Sequence, residues 1–369
     1  VNAAAGSLRG GELAEAMVTE APTGAAASRA SIVDVAQRAG VSVATVSRAL
    51  RDMPNVSKAT RDRVLRAAQE LQYAASPLAS GLVTGRVRSV GVVLPYAGRW
   101  FFAEVIRGIE EALRDHGYDL VLHVVSDAQR RADFFESLPV RRRVDAILVV
   151  ALPLEDHERD ILRGLGLPLA AVAEPIKGLH GEFVDNDATA RLAVQHLVNL
   201  GHTRIASIGG DLHGPERFSV PGLRTGGFRA AMAEAGLTVR PEWEVDGRFT
   251  AAGGELAMTA LLSQKGGRPT GVFCQSDEMA FGALKALRRS GLRVPEDVSL
   301  VGVDDHELSD VFDVTTIAQP VVAQGAAAAR WVVSRLERTA DPDAPDDEVC
   351  LHPVRLVLRG STGPAPTEH

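Results

Sequence analysis

From Ser89 onward the chain alternates two textures. Short, nearly continuous apolar runs (VGVVLP, DLVLHVV, AILVVA, LAAVA, RIASIGG, GVFCQS and SLVGVD) are separated by amphipathic stretches such as FFAEVIRGIEEALRDHG, ATARLAVQHLVNLG and DEMAFGALKALRRSG. Runs of that length predict strands buried on both faces, and the stretches between them predict the helical crossovers of parallel sheets. The region is long for one doubly wound sheet. Two lobes are therefore expected, with a ligand cleft beyond the carboxyl ends of the strands.

Before residue 89 the pattern changes to short helices. Ser31 with Asp34 makes a capping box, and Val35, Ala36 and Ala39 share one helical face. Gly40 suits a left-handed turn, which Val41 plugs. Ser42 caps a second helix that turns Val46, Ala49 and Leu50 inward, and a third helix after Ser57 or Thr60 buries Val64, Leu65, Ala68 and Leu71. Two helices about a glycine turn, braced by a third, make a helix-turn-helix. Its second helix then keeps Val43, Ala44, Thr45, Ser47 and Arg48 facing outward. In such a motif that end enters the DNA major groove, where arginine can bond a guanine edge or a phosphate and alanine can touch a thymine methyl.

Charge supports this division. The 369-residue chain carries a net charge of −7, yet residues 31–88 hold nine Arg or Lys against four Asp or Glu, a basic head on an acidic body. An apolar content of 46% with 24% charged residues is that of a soluble globular protein. No apolar run is long enough for a membrane span. Cys274 and Cys350 are the only two cysteines, which favours a reducing cytoplasm over a disulfide framework. Residues 1–30 show no secretory signal, and their Ala, Gly and Ser content predicts disorder; Met17 can be the natural start.

The stretch SIVDVAQRAGVSVATVSRAL…VSKATRDRVLRAAQELQY closely resembles the DNA-binding head of the LacI/GalR family of bacterial transcription regulators. The resemblance implies that Val43, Ala44, Arg48 and Asn55 read bases. It places Ser42, Thr45, Ser47, Ser57, Thr60 and Tyr73 near phosphates. Arg51 and Ala75-Ser76 depart from the usual Asn and Pro-Asn. The following SPLASGLVTGR resembles the family's hinge helix, with Ala79 on it and Leu82 at the position of the minor-groove wedge.

The likeness continues through FFAEVIRGIEEALRDHGYDL, VDNDATARLAVQHLVNLGHTRIASIGG, GLRTGGFRAAMAEAGL, SDEMAFGALKALRRSGLRVPEDVSLVGVDD and LVLRGST. It implies an α/β protein with an N-terminal helix-turn-helix head and a two-lobed, doubly wound, periplasmic-binding-protein-like core. The chain is expected to cross between lobes near Asp185–Asp187, Ile317–Gln319 and Asp341–Asp347. By the same resemblance Arg224 and Asp304 bond the hydroxyls of an effector, Phe101 and Phe249 wall the cleft, and Ser276 stands where Asn is usual. Ala173-Glu174 and Arg99-Trp100 replace Asp-Arg and Asn-Pro, so Glu174 and Trp100 point toward a ligand with an amine or an apolar ring rather than a generic hexose.

Other chemistry finds little footing. Asp304-Asp305-His306 lacks a second ligand cluster, DNDAT lacks the glycine of a calcium loop, and no P-loop, G-x-S-x-G elbow or G-x-G-x-x-G follows a strand. Arg141-Arg142-Arg143 reads as the end of a solvated helix. No catalytic residue, metal or cofactor is expected. The expected organisation is a disordered extension (1–30), a helix-turn-helix domain (31–75), a hinge helix and linker (76–88), a two-lobed effector-binding and dimerisation domain (89–362) and a tail (363–369). The function expected is a homodimeric, cytoplasmic, nucleoid-associated regulator, most often a repressor, of a carbohydrate or related utilisation operon. Its partners would be a palindromic operator and a sugar, polyol or nucleoside-like effector, with no membrane. An exported sugar-capture protein and an α/β enzyme are the alternatives; the first needs an export signal, the second a base or nucleophile in the cleft.

Overall fold

The computed structural model describes residues 30–50, 53, 55–73, 86–212, 218–265, 267–339, 345 and 347–367. The chain divides into two compact units, a helical head and a much larger body. Ala79, Leu82 and most of 341–347 lie outside the described residues.

The head holds α1 (Ile32–Ala39), α2 (Val43–Leu50) and α3 (Lys58–Glu70). The capping box forms: Ser31 N–H donates to the Asp34 carboxylate at 2.7 Å, and Asp34 N–H donates to Ser31 Oγ at 3.3 Å. Gly40, at φ +64°, ends α1 in the left-handed region, which costs glycine nothing. Val35, Ala36, Ala39, Val46, Ala49, Val64, Ala67 and Ala68 form the core. Leu65 is not in it. The buried stripe of α3 runs Val64, Ala67, Ala68, at i, i+3, i+4, so Leu65 turns to solvent and Leu71 is only half-buried.

The body contains two six-stranded sheets. In the first lobe β1 (Ser89–Leu94), β2 (Asp119–Val124), β3 (Ala146–Val150), β4 (Leu169–Val172), β5 (His180–Val184) and β11 (Val349–His352) are parallel, in the order β11-β5-β4-β3-β1-β2. In the second lobe β6 (Ile205–Gly209), β7 (Glu244–Asp246), β8 (Gly271–Cys274), β9 (Ser299–Asp304), β10 (Thr315–Ala318) and β12 (Arg355–Val357) follow the order β12-β10-β9-β8-β6-β7, with β12 antiparallel. All seven apolar runs are strands. The edge strand β2, from DLVLHVV, has no buried residue between Asp119 and Val124, because it has a neighbour on one side only. β5, β7, β10, β11 and β12 were not among the expected strands; they are short, polar or half-exposed.

The helices α4 (Trp100–Asp115), α5 (Ala128–Ser137), α6 (Asp156–Arg163), α7 (Asn186–Asn199), α8 (Ser219–Glu234), α9 (Ala251–Leu262), α10 (Asp277–Arg289), the single turn α11 (Leu308–Val311) and α12 (Val321–Glu337) cover the sheets. The three arginines at 141–143 lie in turns after α5, not on its last turn, because Leu138 adopts a left-handed C-cap at φ 42°.

Three crossings join the lobes. The first runs through Asp185, which caps α7 by accepting from Ala188 N–H at 2.9 Å, and the second runs through Gln319-Pro320. The third lies at Pro353-Val354, between β11 and β12, and not at Asp341–Asp347. VCLH pairs in parallel with β5, Cys350 beside Glu182, which holds the chain in the first lobe for four more residues. The end of the chain stays attached past residue 362: Ala365 N–H donates to Leu200 O at 2.9 Å.

Candidate functional site

Two surfaces gather the residues singled out above. On the head, α2 buries Val46 and Ala49 and turns Ser42, Val43, Ala44 and Arg48 to solvent, with Thr45 and Ser47 half-buried. Thr45 N–H donates to Ser42 Oγ at 3.2 Å, so the N-terminal turn is fixed from within. Asn55 is exposed in the turn before α3. Ser57 Oγ accepts from Thr60 N–H at 3.3 Å and its hydroxyl donates to Thr60 Oγ1 at 2.9 Å, while Tyr73 packs against the core of the head. Exposed α2 side chains on a three-helix frame match the needs of major-groove and phosphate contact.

On the body, a cleft opens between the lobes and brings together all six expected effector residues, Phe101, Glu174, Arg224, Phe249, Ser276 and Asp304. Its walls come from the carboxyl ends of strands: Tyr96 after β1, Ala151 after β3, Ala173 and Glu174 after β4, Ser276 after β8 and Asp304 ending β9. Ala151, Ala173, Phe249 and Asp304 all have positive φ, at 43°, 65°, 51° and 128°. Four non-glycine residues held in that region around one cavity are strain that the surrounding fold must support, and such strain concentrates at functional sites.

The polar groups are held firmly. Arg224 is 4% exposed; its Nε donates to Asn186 Oδ1 at 2.8 Å and its Nη1 to the Gln275 carbonyl. Burial lowers its pKa, opposed by the charges of Asp304 and Asp277. Asp304 accepts from Gln319 Nε2 at 2.5 Å. Burial raises its pKa to about 6, against the pull of the Arg224 charge. Beneath the cleft, Asp277 accepts from His306 N–H at 2.9 Å, Ser309 Oγ at 2.6 Å and Thr316 Oγ1 at 2.7 Å. Its pKa is pushed up to about 8 by burial and then by the nearby Asp304. Gly302 makes this possible, since a Cβ there would collide with Asp277 Oδ1.

Two expected ligand contacts are otherwise engaged. Glu174 reaches across the cleft to the start of α8, where its Oε2 accepts from Ser219 N–H at 3.1 Å and Ser219 Oγ at 3.0 Å. A carboxylate there also meets the positive end of the helix dipole. Trp100 does not line this cleft. It stacks on His306 with centroids 4.8 Å apart and donates from Nε1 to Glu307 at 2.5 Å. Ser276 caps α10 by accepting from Met279 N–H at 3.3 Å. Sequence reasoning missed Asn186, Phe218, Glu278 and Gln319, which also line the cleft. Asn186 and Gln319 stand at the crossings, and that position was the available signal.

Residues 31–76 match the bacterial regulatory proteins of the lacI family, and residues 194–362 match a periplasmic binding protein-like domain. The HTH-type transcriptional repressor PurR of Vibrio vulnificus is 34% identical over 89% of this chain and 98% of its own. The HTH-type transcriptional repressor CytR of Escherichia coli is 34% identical over 91% and 97%. A solved Lac repressor dimer, bound to operator and the anti-inducer ONPF, superposes with a TM-score of 0.79 at 27% identity, covering 90% of this chain and 99% of that one. Head, body and the order in which they are joined all agree with these relatives, and the chain belongs to the LacI family of bacterial transcription regulators.

Proposed function

We propose that this DNA-binding regulator represses a carbohydrate or related small-molecule utilisation operon, binding a palindromic operator as a dimer and answering to an effector in the interlobe cleft. The observation that carries this reading is the cleft itself: Arg224, a fork of donors, and Asp304, an acceptor, are buried on one wall while Tyr96, Phe101, Phe218 and Phe249 supply ring faces. A sugar, polyol or nucleoside-like molecule presents hydroxyls to the first pair and a flat face to the second. In this role the cleft binds its ligand without turning it over, with Asp304 held by Gln319 and Glu174 by Ser219 at the start of α8. On the head, Val43, Ala44, Arg48 and Asn55 read bases, and Ser42, Thr45, Ser47, Ser57, Thr60 and Tyr73 position the phosphates. Ala79 and Leu82 belong to a hinge that meets the minor groove. The protein works at the nucleoid, in the cytoplasm.

The test is direct. The full chain is used to select its site from random duplexes, and binding is then followed by fluorescence anisotropy against salt and against a panel of sugars, polyols and nucleosides. A palindromic site should emerge, with affinity falling steeply in salt through counterion release and shifting with one ligand class. A selected site without two-fold symmetry, or affinity indifferent to every ligand that binds the body, sinks the reading.

A further inference from the structure

Away from the cleft and the head, the first lobe carries a cluster of metal-binding side chains that no regulatory role above uses. His180 and Glu182 alternate along β5, and Cys350 and His352 alternate along β11. In a strand, residues two apart share a face, and the parallel register sets Cys350 directly beside Glu182. One ligand atom each from His180, Glu182 and Cys350 lies within 4.8 Å of the others. His352 Nε2 bonds the second carboxylate oxygen of Glu182 at 2.7 Å, while His180 Nε2 bonds the first at 2.9 Å.

We propose that His180, Glu182 and Cys350 bind a zinc-class divalent cation, with a water completing a tetrahedral shell. The donor set of imidazole, carboxylate and thiolate suits a borderline-soft ion, and with bonds of about 2.0–2.3 Å the ligand atoms need to sit a little over 3 Å apart. The separations present require shifts of about an ångström or less. The frame around the ligands is built for it. His180 is 1% exposed and lies flat on Trp331 of α12, with centroids 4.4 Å apart and planes at 6°. Its Nδ1 is buried with no hydrogen-bond partner, so the ring is held by the Trp331 stack and by the contact of Nε2 with Glu182. His352 holds the outer oxygen of Glu182, the kind of supporting bond that orients a metal-bound carboxylate. Cys350 is only half-buried, which leaves a way in.

On binding, the Cys350 thiol releases its proton to solvent and the thiolate pairs with the ion. Both strands run straight into lobe crossings, β5 into Asp185 and β11 into Pro353-Val354. An ion tying the strands together therefore stiffens two of the three crossings. The sequence reading expected no metal because the two short motifs lie 170 residues apart, and only the β5–β11 pairing joins them.

The experiment uses the untagged full chain, stripped with chelator and titrated with Co²⁺. A thiolate-to-cobalt charge-transfer band should grow to saturation at one equivalent per chain and be bleached by Zn²⁺. In Cys350→Ser the band should vanish while the circular dichroism of the fold persists, and Glu182→Gln should weaken the affinity at least tenfold. On the wild type, Zn²⁺ should also protect Cys350 from alkylation; Cys274 is buried and unreactive with or without the ion. Absence of the band in the folded wild type, or a band undiminished in Cys350→Ser, overturns the proposal, as does unaltered alkylation under saturating Zn²⁺.

Discussion

Asp277 and Asp304 are the residues on which acid–base behaviour turns. Burial raises both above the ordinary aspartate value, to about 8 and about 6. The folded state therefore holds protons that the unfolded chain releases between about pH 4 and pH 8. With more protons bound in the folded form, stability falls as pH rises through that window. Asp277→Asn removes one titrating group and one charge facing Asp304. Whatever it does to Tm at one pH, it should flatten the decline of Tm between about pH 5 and pH 8, which thermal melts across that range will show. The cleft follows from the same chemistry. As the proposed acceptor of a ligand hydroxyl, Asp304 is strongest when ionised, so effector affinity should drop, by at most about tenfold per unit, as pH falls below about 6. Asp277→Asn should leave that acid limb in place, because with a pKa of about 8 Asp277 is already protonated where Asp304 titrates. Affinity that stays flat through about pH 6 in calorimetric titrations of the wild type would mean that Asp304 does not touch the ligand.

At the scale of elements, α2 separates holding a helix from reading with it. Ser42 secures the first turn through Thr45 N–H, whereas Arg48 is exposed and braces nothing in the core. Ser42→Ala should cost the head about 0.5–2 kcal/mol of stability. Arg48→Ala should leave stability unchanged and cost about 1–3 kcal/mol in discrimination of the operator from a variant altered at one base pair. Melting the variants and titrating both duplexes distinguishes the roles; equal discrimination by Arg48→Ala would remove it from the reading surface. What was legible in the sequence follows the same division. Elements that bury one continuous face announced themselves: the capping box at Ser31, the turn at Gly40 and seven apolar strands. β5 and β11 did not, because HGEFV and VCLH carry polar or exposed side chains, and their pairing joins segments far apart in the sequence. The third crossing was misplaced for that reason. All six expected cleft residues converge, yet Trp100 turned away and Glu174 was taken by α8, since neither commitment leaves a periodic trace. Leu65 fell one position outside the stripe that its helix buries.

At the scale of the whole molecule, recognition and response reside in separate compact units, so the link between them must be a coupling free energy. An effector changes operator affinity only by as much as its own affinity differs between the DNA-bound and free protein. Arg224 is where that difference can be removed with least damage elsewhere. It is buried in the cleft, bonded to Asn186 at the first crossing and to the Gln275 carbonyl, and far in sequence from every residue of the head. Replacing it by alanine leaves those acceptors unpaired, a cost of roughly 1–3 kcal/mol each where water does not enter. That penalty falls on the body and on effector binding, not on α2. Arg224→Ala should therefore bind operator without ligand close to wild type, while the ligand-induced shift in operator affinity disappears. Reciprocity adds a second arm: in the wild type, operator DNA must change effector affinity by the same factor by which effector changes operator affinity. Titrating each partner in the presence and absence of the other measures both factors. Unequal factors would reveal a further linked equilibrium, such as a change in assembly. A variant that keeps its full ligand response would place the effector somewhere other than beside Arg224.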